Sequence, residues 1–98
     1  STASFDKLGF TVKNITSEQK DNLKLDDGVF VSDVKPMSEA FKQGLAKNDV
    51  IMEVNRQKVK SVKDAKGIIQ KAKAGDLILL RVRKSEDVTT HIALELDR

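Results

Sequence analysis

The sequence predicts an α+β domain with five or six short strands, one long helix and one or two short helices. Three observations carry this prediction: apolar residues alternate with polar ones in several segments, one later segment changes to helical spacing, and turn residues separate the segments. Ninety-eight residues, 39% of them apolar, suffice for one small core. We therefore expect a single domain over residues 7–98, preceded by a flexible segment at residues 1–6 from which Phe5 can pack against the domain.

Six segments have the character of strands. Leu8, Phe10 and Val12 alternate with Gly9 and Thr11, which is the period of a half-buried strand. The other strands are indicated by β-branched residues, by alternation and by the turns that bound them, and they cover 29–34, 50–54, a short stretch around Val59, 77–82 and 88–96.

Three segments have the character of helices. Thr16, Ser38 and Ser61 each stand where a helix N-cap is expected, and the predicted helices cover 17–24, 39–43 and 62–73. The apolar residues of the third segment recur at helical spacing: Val62, Ala65, Ile68, Ile69 and Ala72.

Composition and charge exclude several classes of function. Eighteen Lys and Arg against fifteen Asp and Glu give a net charge of +3, acidic residues are interleaved with the lysines, and the aromatics are four phenylalanines. This pattern argues against nucleic-acid binding, which favours a basic stripe with stacking aromatics. No apolar run approaches the roughly 20 residues that span a bilayer, so we expect no direct membrane insertion.

The chain also lacks the residues of a catalytic or metal centre. The single histidine, His91, lies in a predicted strand where it points to solvent, and Ser85 lies in a charged turn, so no Ser-His-Asp triad can be assembled. There is no cysteine, the acidic pairs at 26–27 and 86–87 lack further ligands at recognised spacing, and the glycines are scattered. We expect no catalytic residue, no metal and no cofactor.

Three stretches carry a resemblance to a known family. They are LGFTV at residues 8–12, SEAFKQGLAKNDVI at residues 38–51 and VNR at residues 54–56. Together they resemble a PDZ domain of the circularly permuted bacterial type, and the chain is most similar to the second PDZ domain of HtrA/DegP-type periplasmic serine proteases. Asn48 and Arg56 stand where that family has glycine. The resemblance implies a partly open antiparallel β-barrel or sandwich, a periplasmic location and a chain that is a fragment of a serine endopeptidase.

The resemblance also implies a binding activity and the residues that perform it. An extended peptide would add as a strand beside residues 8–13, its terminal carboxylate on backbone N–H groups near Gly9 and its hydrophobic last side chain in a slot against the long helix. Ala65 and Ile69 could equally belong to the core. The implied peptide-binding residues are Leu8, Gly9, Phe10, Thr11, Val12, Ala65, Ile68 and Ile69.

Two functions remain open at this point. The first is a non-catalytic module that captures protein C-termini or extended segments of misfolded proteins. The second is a structural module that contacts neighbouring protease subunits or domains during assembly, with its groove closed or unused. An open groove favours the first function, whereas a groove closed by Phe10 or Lys66, or filled by residues 1–6, favours the second.

Overall fold

A computed structural model describes residues 1–97, which form one antiparallel sheet and three helices. The strands are β1 (Thr2–Phe5), β2 (Phe10–Asn14), β3 (Val29–Val34), β4 (Val50–Val54), β5 (Gln57–Lys58), β6 (Leu77–Ser85) and β7 (Val88–Glu95). The helices are α1 (Ser17–Leu23), α2 (Glu39–Lys42) and α3 (Val62–Ile69). No helix within residues 1–97 is long and apolar enough to cross a bilayer.

The sheet is open and consists of seven strands. Its order is β1-β2-β3-β4-β6-β7, and the short β5 pairs with β4 beside this path. All pairings are antiparallel, and the longest ladder joins β6 to β7. The predicted α+β class with a partly open antiparallel arrangement is confirmed, and the sheet does not close into a barrel.

One buried cluster forms the core. It joins inward-facing residues of the strands to the apolar side of α3, where Val62, Ala65 and Ile69 are buried. The predicted helical spacing places these side chains on one face. Because α3 packs against β1, β2 and β4, it lies across the part of the sheet where the chain begins.

The helices agree with the predicted segments at their N-termini. The side chain of Thr16 accepts from the backbone N–H of Gln19, and the side chain of Gln19 accepts from the backbone N–H of Thr16, so the capping box is formed.

The α3 helix is shorter than the predicted 62–73. The amides of Lys71 and Ala72 donate to carbonyls three residues back, at Ile68 and Ile69, so the chain tightens there into successive turns.

The N-terminus differs from its expectation. Residues 1–6 are predicted to be flexible, but Thr2–Phe5 form strand β1 on the edge of β2. The physical reason is alternation: Ala3 and Phe5 face the core while Thr2 and Ser4 face outward, so even four residues have an apolar side to bury. The domain expected over 7–98 ends at Arg98, which lies outside the described residues.

Candidate peptide-binding site

The turn between β1 and β2 holds an oxygen atom on two adjacent backbone amides. The N–H of Leu8 and the N–H of Gly9 both donate to the carbonyl oxygen of Phe5, at 3.0 and 2.7 Å. Gly9 has a φ of +88°, which favours glycine. Successive amides that converge in this way form a small site for an anionic or carbonyl oxygen, which we call the amide nest of Leu8 and Gly9.

The chain around α2 fixes the orientation of this nest. The backbone N–H of Ala40 donates to the Leu8 carbonyl at 2.9 Å, and the N–H of Lys35 donates to the Gly9 carbonyl at 2.8 Å. A trans peptide directs its C=O and N–H to opposite sides. Anchoring the Leu8 carbonyl on α2 therefore turns the N–H of Gly9 away from α2 and toward Phe5.

The contact between the nest and α2 leaves no room for a side chain at position 9. A Cβ atom there would lie 2.1 Å from Cβ of Ser38, the residue that caps α2. Glycine is thus required twice, by the backbone conformation and by the close approach. The sequence analysis assigns Gly9 to a peptide carboxylate, and the close neighbour at this position in the structure is Ser38.

The edge of β2 that faces away from β3 is paired with β1. The register places Ala3 opposite Val12, Ser4 opposite Thr11 and Phe5 opposite Phe10. The Ser4 and Thr11 hydroxyl groups are 2.9 Å apart and hydrogen-bonded. The segment Thr2–Phe5 thus runs antiparallel to β2 and ends with its carbonyl on the amide nest, which is the course predicted for a bound peptide.

The α3 helix forms the second wall and is tied to β2 by a side chain. The Asn14 side-chain oxygen, at the end of β2, accepts from the backbone N–H of Val62 at 2.8 Å. This amide belongs to the first turn of α3 and has no acceptor within the helix. The bond fixes the distance between the two walls where β2 ends. We call the space between β2 and α3 the groove.

Two side chains of β1 lie in the groove. Ala3 is buried, and the half-buried Phe5 ring stacks at a tilt on Phe10 with ring centroids 5.0 Å apart. A cleft of about 150 Å³ remains open beside the Phe5 ring, lined by Phe5, Asp6, Lys7, Leu8, Ile69 and Leu96. The groove therefore keeps a small apolar space at the end closest to the nest.

The structure brings the predicted site residues together around this groove. Leu8, Phe10, Val12, Ala65 and Ile69 belong to one buried cluster. Thr11 is half-buried and bonded to Ser4, and Ile68 packs partly buried against the same cluster. These apolar side chains belong to the same buried cluster as Ala3 of β1, so core and groove share residues.

Sequence reasoning missed three participants. Phe5 supplies the oxygen on the nest, Asn14 joins the two walls, and Ala40 holds the Leu8 carbonyl. The alternation of Ala3 and Phe5 with Ser4 was a signal for the first. The other two contacts join residues far apart in the chain and leave no local pattern.

The remaining polar residues are dispersed. His91 is exposed, as predicted, and lines an open cleft on the outer side of the sheet together with Glu53 and Arg81, which form an ion pair at 3.3 Å. Within residues 1–97 no group of three or more His, Cys, Asp and Glu side chains is placed to hold a metal ion.

Comparison with known proteins identifies the family. A family model described as PDZ domain matches residues 7–94. A probable periplasmic serine endoprotease, DegP-like, of Chlamydia muridarum is 36% identical over 94 residues, which is 93% of this chain and 18% of that protein. A probable periplasmic serine protease, do/HhoA-like, of Haemophilus influenzae is 40% identical over 70 residues, covering 68% of this chain and 15% of that protein. The chain belongs to the PDZ domain family and is homologous to PDZ domains of DegP- and HtrA-type proteases.

Solved structures agree with this assignment. The HtrA-type protease AlgW carrying S227A, solved with a decapeptide, superposes with a TM-score of 0.80 at 25% identity, over 92% of this chain and 28% of that one. The HtrA3 PDZ domain bound to the phage-derived ligand FGRWV superposes with a TM-score of 0.77 at 20% identity, over 97% of this chain and 86% of that one. The chain therefore spans less than a fifth of the length of its DegP-like relative and less than a third of the AlgW chain.

Proposed function

We propose that this domain binds extended peptide segments, C-terminal ones above all, by strand addition to β2 in the groove between β2 and α3. It would do so without catalysis of its own, as the substrate-recognition or regulatory module of an HtrA-type serine protease in the periplasm. The backbone of residues 8–12 would provide the hydrogen bonds, and Ala65, Ile68 and Ile69 would line the side-chain slot.

One observation carries the proposal. The amide nest of Leu8 and Gly9 already holds a carbonyl oxygen at the end of an antiparallel strand on β2. A peptide carboxylate offers two oxygens and a negative charge in the same position, and hydrogen bonds to a charged acceptor are about twice as strong as those to a neutral one. The site is thus suited to a chain terminus more than to a carbonyl within a chain.

The relatives support this proposal from a second direction. DegP-like relatives are named periplasmic serine endoproteases, and the AlgW structure was solved with a decapeptide. A protease that acts on extended or misfolded chains needs a means of retaining them, and strand addition recognises a backbone with little demand on sequence. The proposed ligands are therefore protein C-termini and exposed extended segments with a hydrophobic last residue.

The test is a backbone-amide NMR titration of the 98-residue chain with the pentapeptide Ser-Thr-Ala-Ser-Phe, which has a free carboxylate and repeats residues 1–5. Its C-terminally amidated twin is the control. We expect shifts at residues 8–13 of β2 and 65–69 of α3 that are lost or strongly weakened on amidation, because the charge on the nest is removed. The titration is repeated with Ala3→Glu, which disfavours docking of β1. No shift at millimolar peptide in either chain would contradict the proposal.

A structural role in protease assembly is the second candidate. It is favoured by the occupation of the groove by β1, since a module that never releases this strand would have no use for free peptides. It predicts no response to either peptide and a contact with neighbouring subunits or domains through other surfaces. The same titration separates the two functions.

A further inference from the structure

We propose that residues 2–5 are a displaceable internal ligand: β1 blocks the groove, and a peptide with a free carboxylate binds by replacing it. This inference rests on the proposed function and adds its regulation. The apparent affinity of the domain for peptides would then be set by how often β1 leaves β2.

β1 occupies the edge of β2 and the amide nest, which the proposal assigns to a bound peptide. Its backbone pairs with β2 from residue 2 to residue 5, and its last carbonyl lies on the amide nest. Ala3 is buried facing the core, and Phe5 stacks on Phe10 beside the open cleft. A second strand cannot pair with the same edge of β2, so binding of a peptide there and docking of β1 exclude each other.

The structure also gives reasons why β1 can leave. The strand has four residues, lies at the edge of the sheet and has Ala3 as its one buried side chain. Terminal strands with few buried contacts open at low free-energy cost. The neutral Phe5 carbonyl gives the nest one oxygen, whereas a terminal carboxylate gives two and a charge.

The turn of residues 6–9 opposes the release of β1 from β2. A short connection holds β1 beside β2 at an effective concentration on the order of millimolar. A free peptide at lower concentration displaces β1 only if it binds more tightly than β1 does. The measured dissociation constant therefore equals the intrinsic one divided by the fraction of molecules with an empty groove.

A disulfide across the strand pair tests the block directly. The Ser4 and Thr11 side chains are opposite each other and in hydrogen-bond contact, and the chain has no native cysteine, so Ser4→Cys/Thr11→Cys can lock β1 onto β2. We expect the oxidised variant to bind the pentapeptide Ser-Thr-Ala-Ser-Phe at least tenfold more weakly than the same protein after reduction. The unmodified chain, which reductant cannot alter, is the control.

A second pair of variants loosens β1 instead. Ala3→Glu places a carboxylate at the buried position of β1, and Ser17→Glu places one at an exposed position of α1, outside β1, β2 and α3, as the control. We expect Ala3→Glu to bind the pentapeptide several-fold more tightly than the unmodified chain and Ser17→Glu to bind it unchanged. In the unmodified chain, amide resonances of residues 2–5 should move to random-coil positions as the peptide saturates β2.

The outcomes separate this inference from the proposed function. Equal binding by the oxidised and reduced forms, or saturation of β2 while residues 2–5 keep their strand resonances, would overturn the internal-ligand inference and leave peptide binding intact. Loss of binding in every form, including Ala3→Glu and the reduced variant, would overturn the proposed function and the inference together.

Discussion

At the scale of single residues, Gly9 answers two demands at once. Its φ of +88° turns the chain from β1 into β2, and the missing side chain lets Ser38 approach. Ser38 cannot withdraw easily, because its hydroxyl caps α2 by accepting from the N–H of Phe41 and donates to the carbonyl of Lys35. The turn that carries the amide nest and the start of α2 therefore pack closely against each other.

Replacing this glycine should destabilise the domain. We expect Gly9→Ala to lower the free energy of unfolding by about 2–5 kcal/mol, from the unfavourable φ together with the overlap on Ser38. Gly44→Ala is the matched control, since Gly44 has a φ of +97° and no atom within 4 Å of the added Cβ. Urea unfolding followed by circular dichroism measures both variants, because the chain has no Trp or Tyr. Equal losses in the two variants would show that the overlap costs nothing.

Asn48 and Arg56 lie where the resemblance implies glycine, and both have positive φ values. Asn48 has a φ of +80°. Asn55 and Arg56, which follow each other in the turn between β4 and β5, have φ values of +50° and +65°. These are conformations that glycine adopts without strain, so the positive φ values at positions 48 and 56 agree with the glycine that the resemblance implies there. The fold accommodates Arg56 because the turn between β4 and β5 leaves it exposed.

At the scale of elements, α3 contains a glycine that nothing in the structure requires. Gly67 is exposed within the helix, its φ is not in the left-handed region, and a Cβ atom there would meet no atom within 4 Å. Glycine in a helix interior is disfavoured relative to alanine by the backbone entropy lost on folding. The residue offers no compensating contact with β1 or β2.

Gly67→Ala should therefore stabilise the domain. We expect the free energy of unfolding to rise by about 1 kcal/mol, with pentapeptide affinity unchanged because the added Cβ is exposed and meets no atom of β1 or β2. Gly9→Ala should change the free energy of unfolding in the opposite direction, because the backbone at position 9 has a conformation that favours glycine and the backbone at position 67 does not. Thermal unfolding measures the effect, and a decrease in stability would mean that position 67 contacts something in the native state.

Element positions were predictable to the extent that they depend on local signals. Strand β4 has the predicted bounds, and α1 and α2 start at the predicted residues, because alternation and N-caps are properties of a few neighbouring residues. The end of α3 was predicted too late. No proline or glycine marks the change after Ile69, and the tightening is seen only in the hydrogen bonds of Lys71 and Ala72.

At the scale of the whole molecule, an ion pair connects distant parts of the chain. Lys84 of β6 donates to the Asp49 carboxylate at 2.7 Å and to the Gly44 carbonyl at 2.9 Å. The Asp49 side chain is 6% exposed and also accepts from the N–H of Ala46. The pair therefore ties the segment after α2 to the long hairpin of β6 and β7.

Removing Lys84 should destabilise the domain more than removing one partner of an exposed ion pair would. We expect Lys84→Met to lower the free energy of unfolding by about 2 kcal/mol, because the nearly buried Asp49 carboxylate loses its countercharge. Lys71→Met, at an exposed lysine, is the control and should change stability by less than about 0.5 kcal/mol. Chemical denaturation of both variants measures this difference, and equal stability would mean that water replaces Lys84 at no cost.

The two sides of the candidate groove could be predicted from the sequence, but its occupation by β1 could not. The motif at residues 8–12 and the helical spacing of Ala65, Ile68 and Ile69 predict β2 and α3, the two sides of the groove, because each pattern lies within a short stretch of the chain. The occupation of the groove by Thr2–Phe5 depends on competition between this segment and other strands for one edge of β2. Such competition is decided by tertiary packing, which a short alternation of apolar residues does not reveal.

The position of β1 has a further consequence for the solubility of the molecule. An uncovered edge of β2 would present a row of unpaired backbone groups, which are a template for joining other copies of the chain into extended sheets. Residues 2–5 cover that row while they are docked, and the edge of the sheet is then the four residues of β1 itself. Short edge strands are poor templates for joining other copies, so the segment that we propose as a restraint on binding would also limit aggregation.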